Sequence, residues 1–135
     1  MKCIILAAGY ATRLYPLTKN FPKPLLDVQG KSILDWLIAD IESIPQINEV
    51  IIVSNHKFYQ QFINWKNAAS FHTDVKVIDD GSTANDNRLG AVRDIGFAIG
   101  MCGIDDDILV MAGDNLLDFS VKGFVEFYYE KKAAC

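Results

Sequence analysis

The sequence predicts an α/β protein with a Rossmann-like, doubly wound, mainly parallel sheet and helices on both faces. Three observations carry that expectation. Short β-branched apolar runs alternate with segments whose apolar residues recur at helical spacing. The segments between the runs are long enough to cross a sheet, which parallel strands require. Right-handed crossovers then place helices on both faces. With 135 residues, 50% hydrophobic and 22% charged, a packed core is expected and disorder is not. Residues 1–135 are read as a single domain.

Lys2 to Ala8 reads as a buried first strand. The run is too short for an export signal and leads into a Gly9–Arg13 turn instead of a small-residue cleavage site, so a cytoplasmic location is expected. Charged residues break every long apolar run, and no membrane span is expected. A long loop, Gly9 to Gly30, follows. Ser32 then opens a helix, with Asp35 completing a capping-box pattern. Ile33, Leu34, Leu37, Ile38, Ile41 and Ile44 share one face of it, and Pro45 ends it. Glu49 to Val53 is the second strand. Phe58, Phe62 and Trp65 recur at helical spacing, and Val75 to Ile78 is the third strand. Asp79 to Arg88 is turn chemistry throughout. Val92, Ile95 and Ile99 mark another helix face, and Asp107 to Ala112 is the fourth strand. Ser120 can cap a last helix bearing Val121, Phe124, Val125 and Tyr128.

In a doubly wound sheet, ligands bind at the carboxyl ends of the strands. The loops Gly9–Gly30, Asp79–Arg88 and Gly113–Phe119 fall at that edge. Charge points to the first of them. The net charge is -4 and the sequence pI about 5.0, which argues against a general nucleic-acid binder. Yet the first acidic residue is Asp27, and Lys2, Arg13, Lys19 and Lys23 precede it. Four of the 13 bases lie there, leaving nine against 17 acids in the remainder. An anionic ligand would be steered to that local positive region.

The loop after the first strand has a chemistry of its own. Ala7, Ala8 and Gly9 leave little side-chain bulk, so a flat base or a phosphate chain can approach the backbone. Turn amides can cradle phosphate oxygens. Arg13 offers a planar fork for phosphate, and Lys23 is a compact charge between Pro22 and Pro24. The spacing is neither that of a Walker P-loop nor that of GxGxxG. Other candidates read more plainly. Cys3 and Cys102 sit among apolar residues as small core residues, Cys135 makes the count odd, and no disulfide framework is suggested. His56 and His72 read as loop or surface residues. Asp105–Asp107 reads as a solvated loop at the opposite edge, Asp79 and Asp80 as turn residues, and Lys131–Lys132 as an exposed helix end.

The string LAAGYATRLYPLT, followed by PKPLL, closely resembles the signature of the sugar-1-phosphate nucleotidyltransferases, usually written AAGxGTRLxPLT with PKPL shortly after. Ala11 stands where the family usually has a second glycine. Asn87 to Val92 resembles the family segment that opens a helix beside the base, with Arg88 and Leu89 in place of commoner small residues. Val110 to Asn115 resembles the strand ending in Gly-Asp. The resemblance runs from Lys2 to about Phe127.

It implies transfer of a nucleotidyl group from a nucleoside triphosphate to a sugar 1-phosphate, with release of pyrophosphate. By this resemblance Arg13 and Lys23 are the catalytic residues: Arg13 holds the β- and γ-phosphates, and Lys23 reaches toward the α-phosphate. Ala7, Ala8, Gly9, Tyr10, Ala11, Thr12, Arg88 and Gly90 form the nucleotide site, and Asp114 holds Mg²⁺. Members usually continue well beyond this length, so nucleotide binding is expected ahead of catalysis by these residues alone. Apolar surface normally covered by that further half would favour self-association into a homo-oligomer. Two alternatives stay open: a cytidylyltransferase acting on a small phospho-alcohol, and a nucleotide-binding module without transferase activity.

Overall fold

A computed structural model describes residues 1–10, 16, 19–84, 87, 89–113 and 121–131. The elements follow the expected alternation. Strand β1 (Lys2–Ala7) leads through a 3₁₀ turn at Lys23–Leu25 and a small hairpin, β2 (Asp27–Val28) and β3 (Lys31–Ser32), into helix α1 (Ile33–Glu42). Then come β4 (Glu49–Ser54), α2 (Tyr59–Ala68), β5 (Asp74–Asp79), α3 (Ala91–Cys102), β6 (Ile108–Ala112) and α4 (Val121–Lys131). The main sheet has the order β5-β4-β1-β6, and every neighbouring pair is parallel.

Burial explains the residue choice. The two central strands are covered on both faces, so β1 and β4 are nearly continuous apolar runs, while β5 at the edge alternates buried Val75 and Val77 with exposed Asp74 and Lys76. On one face α1, α2 and α4 pack Leu34, Leu37, Ile38, Ile41, Phe62 and Val125 against Cys3, Ile5, Val50 and Ile52. On the other face α3 brings Ala98, Ile95 and Ile99 onto Ile4, Ala8, Ile51 and Val53. Helices therefore cover both faces, as expected.

The start of α1 matches its sequence signal closely. The Ser32 hydroxyl accepts from the Asp35 amide at 3.1 Å, and the Ser32 amide donates to Asp35 Oδ2 at 3.1 Å. Three expectations need correction. Helix α1 ends at Glu42, before Pro45, because the Ser43 hydroxyl and amide both donate to the Asp40 carbonyl, at 2.6 and 3.2 Å, and draw it from the helix ladder. The expected loop Gly9–Gly30 contains the start of the β2–β3 hairpin, turned by Gln29 (φ 53°) and Gly30 (φ 90°). The buried stripe of α3 centres on Asp94 and Ala98, and Val92 is 84% exposed.

The carboxyl end of β1 is held from both sides. Gly113, just past β6, donates its amide to the Leu6 carbonyl at 2.9 Å. A Cβ at Gly113 would lie 2.9 Å from Ile5 Cγ2, 3.2 Å from the Leu6 oxygen and 3.3 Å from Ala7 Cβ. From the β4 side, the buried Asn55 donates its amide to the Ala8 carbonyl at 3.0 Å and accepts from the Phe58 amide at 2.8 Å.

Gly113→Ala should lower unfolding free energy by about 1–3 kcal/mol, the usual cost of overpacking. Gly100→Ala, where the added carbon meets open space on α3, should raise it by up to about 1 kcal/mol. Denaturant titration of both variants checks this, and equal effects would show that β1 and β6 do not press together at Gly113.

Candidate active site at the carboxyl edge of the sheet

From β1 the chain moves outward through β4 to β5, then crosses back to place β6 on the other side of β1. The carboxyl ends of β1 and β6 thus flank the switch point, where open α/β sheets form a ligand crevice. A cavity of about 240 Å³ lies there. Leu6, Ala7 and Gly9 contribute from the end of β1, Lys23 and Pro24 from the 3₁₀ turn, Ala112 from the end of β6 and Ala91 from the start of α3. Four segments separated in the sequence therefore share one cavity. A larger groove of about 470 Å³ runs along β6 and α4 and takes in Met1 and Asp106 at the amino edge; it holds none of the candidate residues.

Each expected site residue has a definite place where it is described. Ala7 ends β1 and lines the cavity. Ala8 is buried against the α3 side, with its carbonyl taken by Asn55. Gly9 is exposed at the cavity, and a Cβ there would meet nothing within 4 Å. Tyr10 turns the other way. Its ring is buried, 6.1 Å from that of Phe58, and its hydroxyl donates to the Ser82 carbonyl at 3.1 Å. Its side chain is thus a core anchor and does not line the cavity. Lys23 opens the 3₁₀ turn directly after Pro22 and reaches the cavity. Gly90 precedes α3 at φ 85°, a conformation that a residue with a Cβ resists, and exposes the helix start. Gly90 has no side chain to cap that start, and none caps it among the described residues. The first-turn amides, which no intrahelical carbonyl takes, and the positive end of the helix dipole lie beside Ala91, which lines the cavity. Ala11, Thr12, Arg13, Arg88 and Asp114 lie outside the described residues.

Among the described residues, no three His, Cys, Asp or Glu side chains group as a metal site. Cys3 is not a nucleophile, since burial pushes its thiol up to about 12. The Cys102 thiol is raised as well, chiefly by burial. Asp79 and Asp80 do serve the turn: Asp79 Oδ1 accepts from the Gly81 amide at 2.8 Å and Asp80 Oδ1 from the Ser82 amide at 2.9 Å. Asp79 has a second role, because its Oδ2 lies 2.6 Å from Nδ1 of the exposed His56. Asp106 pairs with the Met1 amino group at 3.1 Å, which holds its carboxyl below the usual range, so it is more than a solvated loop residue.

Asn55 and Asp94 escape sequence reasoning as supports of the edge. Asn55 carries a faint signal, an Asn three residues before Phe58 at a strand–helix junction, where an Asx side chain can bond a following amide. A buried Asp94 carries none, because an aspartate in a first helical turn normally faces solvent.

No helix among the described residues is long and apolar enough to cross a membrane. Comparison with known proteins agrees with the fold. The family described as nucleotidyl transferase matches residues 2–135. The bifunctional protein GlmU of Methanocaldococcus jannaschii is 28% identical over 130 residues, covering 96% of this chain and 28% of its own length. Among solved structures, HddC from Yersinia pseudotuberculosis complexed with GMP-PN is 25% identical with a TM-score of 0.75, covering 94% of this chain and 53% of that one. The CTP:phosphocholine cytidylyltransferase from Streptococcus pneumoniae is 27% identical with a TM-score of 0.66, covering 89% and 47%. The chain spans under a third of that curated relative and about half of those two structures. With this sheet order and nearly every residue matched, the chain belongs to the nucleotidyl transferase family.

Proposed function

We propose that residues 1–135 are the nucleotide-binding part of a longer nucleotidyltransferase fold, which transfers a nucleotidyl group from a nucleoside triphosphate to a sugar 1-phosphate and releases pyrophosphate. The carrying observation is the single cavity that joins Gly9, Lys23, Ala91 and Ala112 at the switch point. A cytoplasmic location suits this reading, because the triphosphate substrate is held there.

A sugar phosphate is largely a dianion near pH 7, its second pKa being about 6, so it needs no general base. The protein's work is alignment and charge neutralisation. Small residues at Ala7 and Gly9 let the nucleotide lie against the end of β1. The open amides at the start of α3 offer donors to an anion. The Lys23 ammonium is directed to the α-phosphate, where charge builds in the transition state. Arg13 is assigned the β- and γ-phosphates, with Ala8, Ala11, Thr12, Arg88 and Gly90 completing the nucleotide contacts. Asp114 is assigned Mg²⁺. Its carboxylate is the hard oxygen donor that this ion prefers, and it follows Gly113, which the Leu6 carbonyl fixes beside β1. The bound ion would supply further neutralisation of phosphate charge.

A second reading, nucleotidyl transfer to a small phospho-alcohol, draws on the likeness to the CTP:phosphocholine cytidylyltransferase. Pyrophosphate release from a panel of triphosphates and phosphorylated acceptors separates the readings in the full-length protein. Release only with sugar 1-phosphates supports the first. Release only with CTP and a phospho-alcohol supports the second. Binding without release indicates a nucleotide-binding module.

Arg13→Ala and Lys23→Ala should each lower turnover by about a hundredfold or more, the scale of a lost transition-state donor, while shifting unfolding free energy by under about 0.5 kcal/mol. Parallel loss of turnover and stability would remove both from the catalytic roles. Gly9→Ala should keep its stability, because the added carbon meets open space. It should weaken triphosphate binding measured by calorimetry, and unchanged affinity would mean that the ligand does not lie against Gly9.

A further inference from the structure

Asp94 sits in the first turn of α3, and Asp80 sits one residue past the end of β5. They are 5% and 9% exposed. Asp80 Oδ1 accepts from the Ser82 amide at 2.9 Å and from the Ser82 hydroxyl at 2.7 Å. Asp80 Oδ2 and Asp94 Oδ1 are both buried, and neither receives a donor from any other group among the described residues. Two such oxygens left unsatisfied are costly, and two adjoining carboxyl groups do not both ionise readily in a low dielectric. One proton between them answers both problems, because a protonated carboxyl becomes a donor. Burial first, and then the hydrogen bond and charge of Asp80, push the Asp94 carboxyl up to about 7.

Among the described residues, the neighbouring elements bring no other charge to this pair. Strands β1 and β4 present Ile4, Ala8, Ile51 and Val53 to α3, none of them ionisable. Arg93 on the same helix is exposed. Glu49 and Lys76 face Cys102 at the far end of α3, about 12 Å along the helix from Asp94. His56 is engaged with Asp79.

The pair also stands where two walls of the cavity are anchored. The Asp80 amide donates to the Ser54 carbonyl at 2.9 Å, and the Ser82 carbonyl accepts from the Tyr10 hydroxyl at 3.1 Å and the His56 amide at 2.8 Å. Tyr10 directly follows Gly9. On the other side, the Asp94 amide donates to the Gly90 carbonyl at 3.0 Å. We propose that a proton shared by Asp80 and Asp94 clasps the loop after β5 to the first turn of α3, holding the Gly9–Tyr10 and Gly90–Ala91 walls in register, and that Asp94 is thereby a positioning residue for the nucleotide. The consequence for the nucleotide rests on the function proposed above; the clasp itself does not. The folded chain holds this proton more tightly than the unfolded chain, so its contribution is full at low pH, declines from about pH 4 and is gone above about pH 7. Above that, two buried charges push the walls apart.

Amide hydrogen exchange in the intact protein, corrected for intrinsic rates, reads the clasp without any nucleotide. At pH 8 about nine-tenths of Asp94 is ionised, so protection of residues 80–84 and 90–94 should fall about tenfold from its value at pH 6. Asp94→Asn, whose amide donates to Asp80 at any pH, should show equal protection at both pH values. Asp80→Asn, which gives an ionised Asp94 its donor, should also be flat. Wild-type protection that does not change with pH overturns the clasp. The positioning role is read from the affinity of wild type relative to Asp94→Asn for a magnesium-loaded nucleoside triphosphate, a ratio in which the ligand's own ionisation cancels. It should be near one at pH 6, with wild type about tenfold weaker at pH 8. A ratio of one at both pH values overturns that role. Failure of every variant to bind any triphosphate overturns the nucleotide reading and the positioning role together, while exchange still decides the clasp.

Discussion

The seating of β1 between β4 and β6 is the constraint on which the rest depends. Its carboxyl end has no freedom to drift. On one side the Gly113 backbone approaches so closely that no Cβ fits, and on the other a buried amide side chain takes the Ala8 carbonyl. Gly9, which follows, is therefore delivered to a fixed point, with the end of β6 and the start of α3 beside it. Burial of β1 and β4 on both faces supplies the energy that keeps this point in place. Small residues at the edge spend none of that energy on side-chain contacts, which leaves room for a ligand.

Much of this was legible in the sequence, for identifiable reasons. Runs such as Glu49–Val53 can hardly be anything but buried strand, and the Ser32–Asp35 pair announces the start of α1. The crossovers between parallel strands follow from spacing alone. The site segments stood out because small residues, two prolines and unopposed positive charge coincide at one loop. What stayed hidden depends on tertiary geometry. Tyr10 belongs to the motif string, yet its ring serves the core. Nothing local shows that Asp94 would turn inward while Val92 turned to solvent, since the stripe of α3 is set by the angle at which it crosses β1 and β4. The close contact at Gly113 is likewise a relation between strands separated by a hundred residues, which no local pattern contains.

The chemistry suits such a frame. Phosphoryl-group chemistry asks little covalent help from a protein and much positioning, and a fixed strand end beside a helix start is equipment of that kind for the proposed nucleotide. The Cys3 and Cys102 thiols are raised by burial and stand outside it. The proposed carboxyl clasp behind the cavity adds a titratable element that acts on the walls, away from the reacting atoms. Because the chain spans about half of related structures, contacts to the acceptor are assigned to no residue here.

The central claim is a location: the polyphosphate lies at the switch point between β1 and β6. Crystals grown with magnesium and a non-hydrolysable nucleoside triphosphate test it most directly. Density for the phosphates between Gly9, Lys23 and the first amides of α3 is the predicted result. A nucleotide bound in the groove beside β6 and α4, with the switch-point cavity holding solvent, would contradict the account.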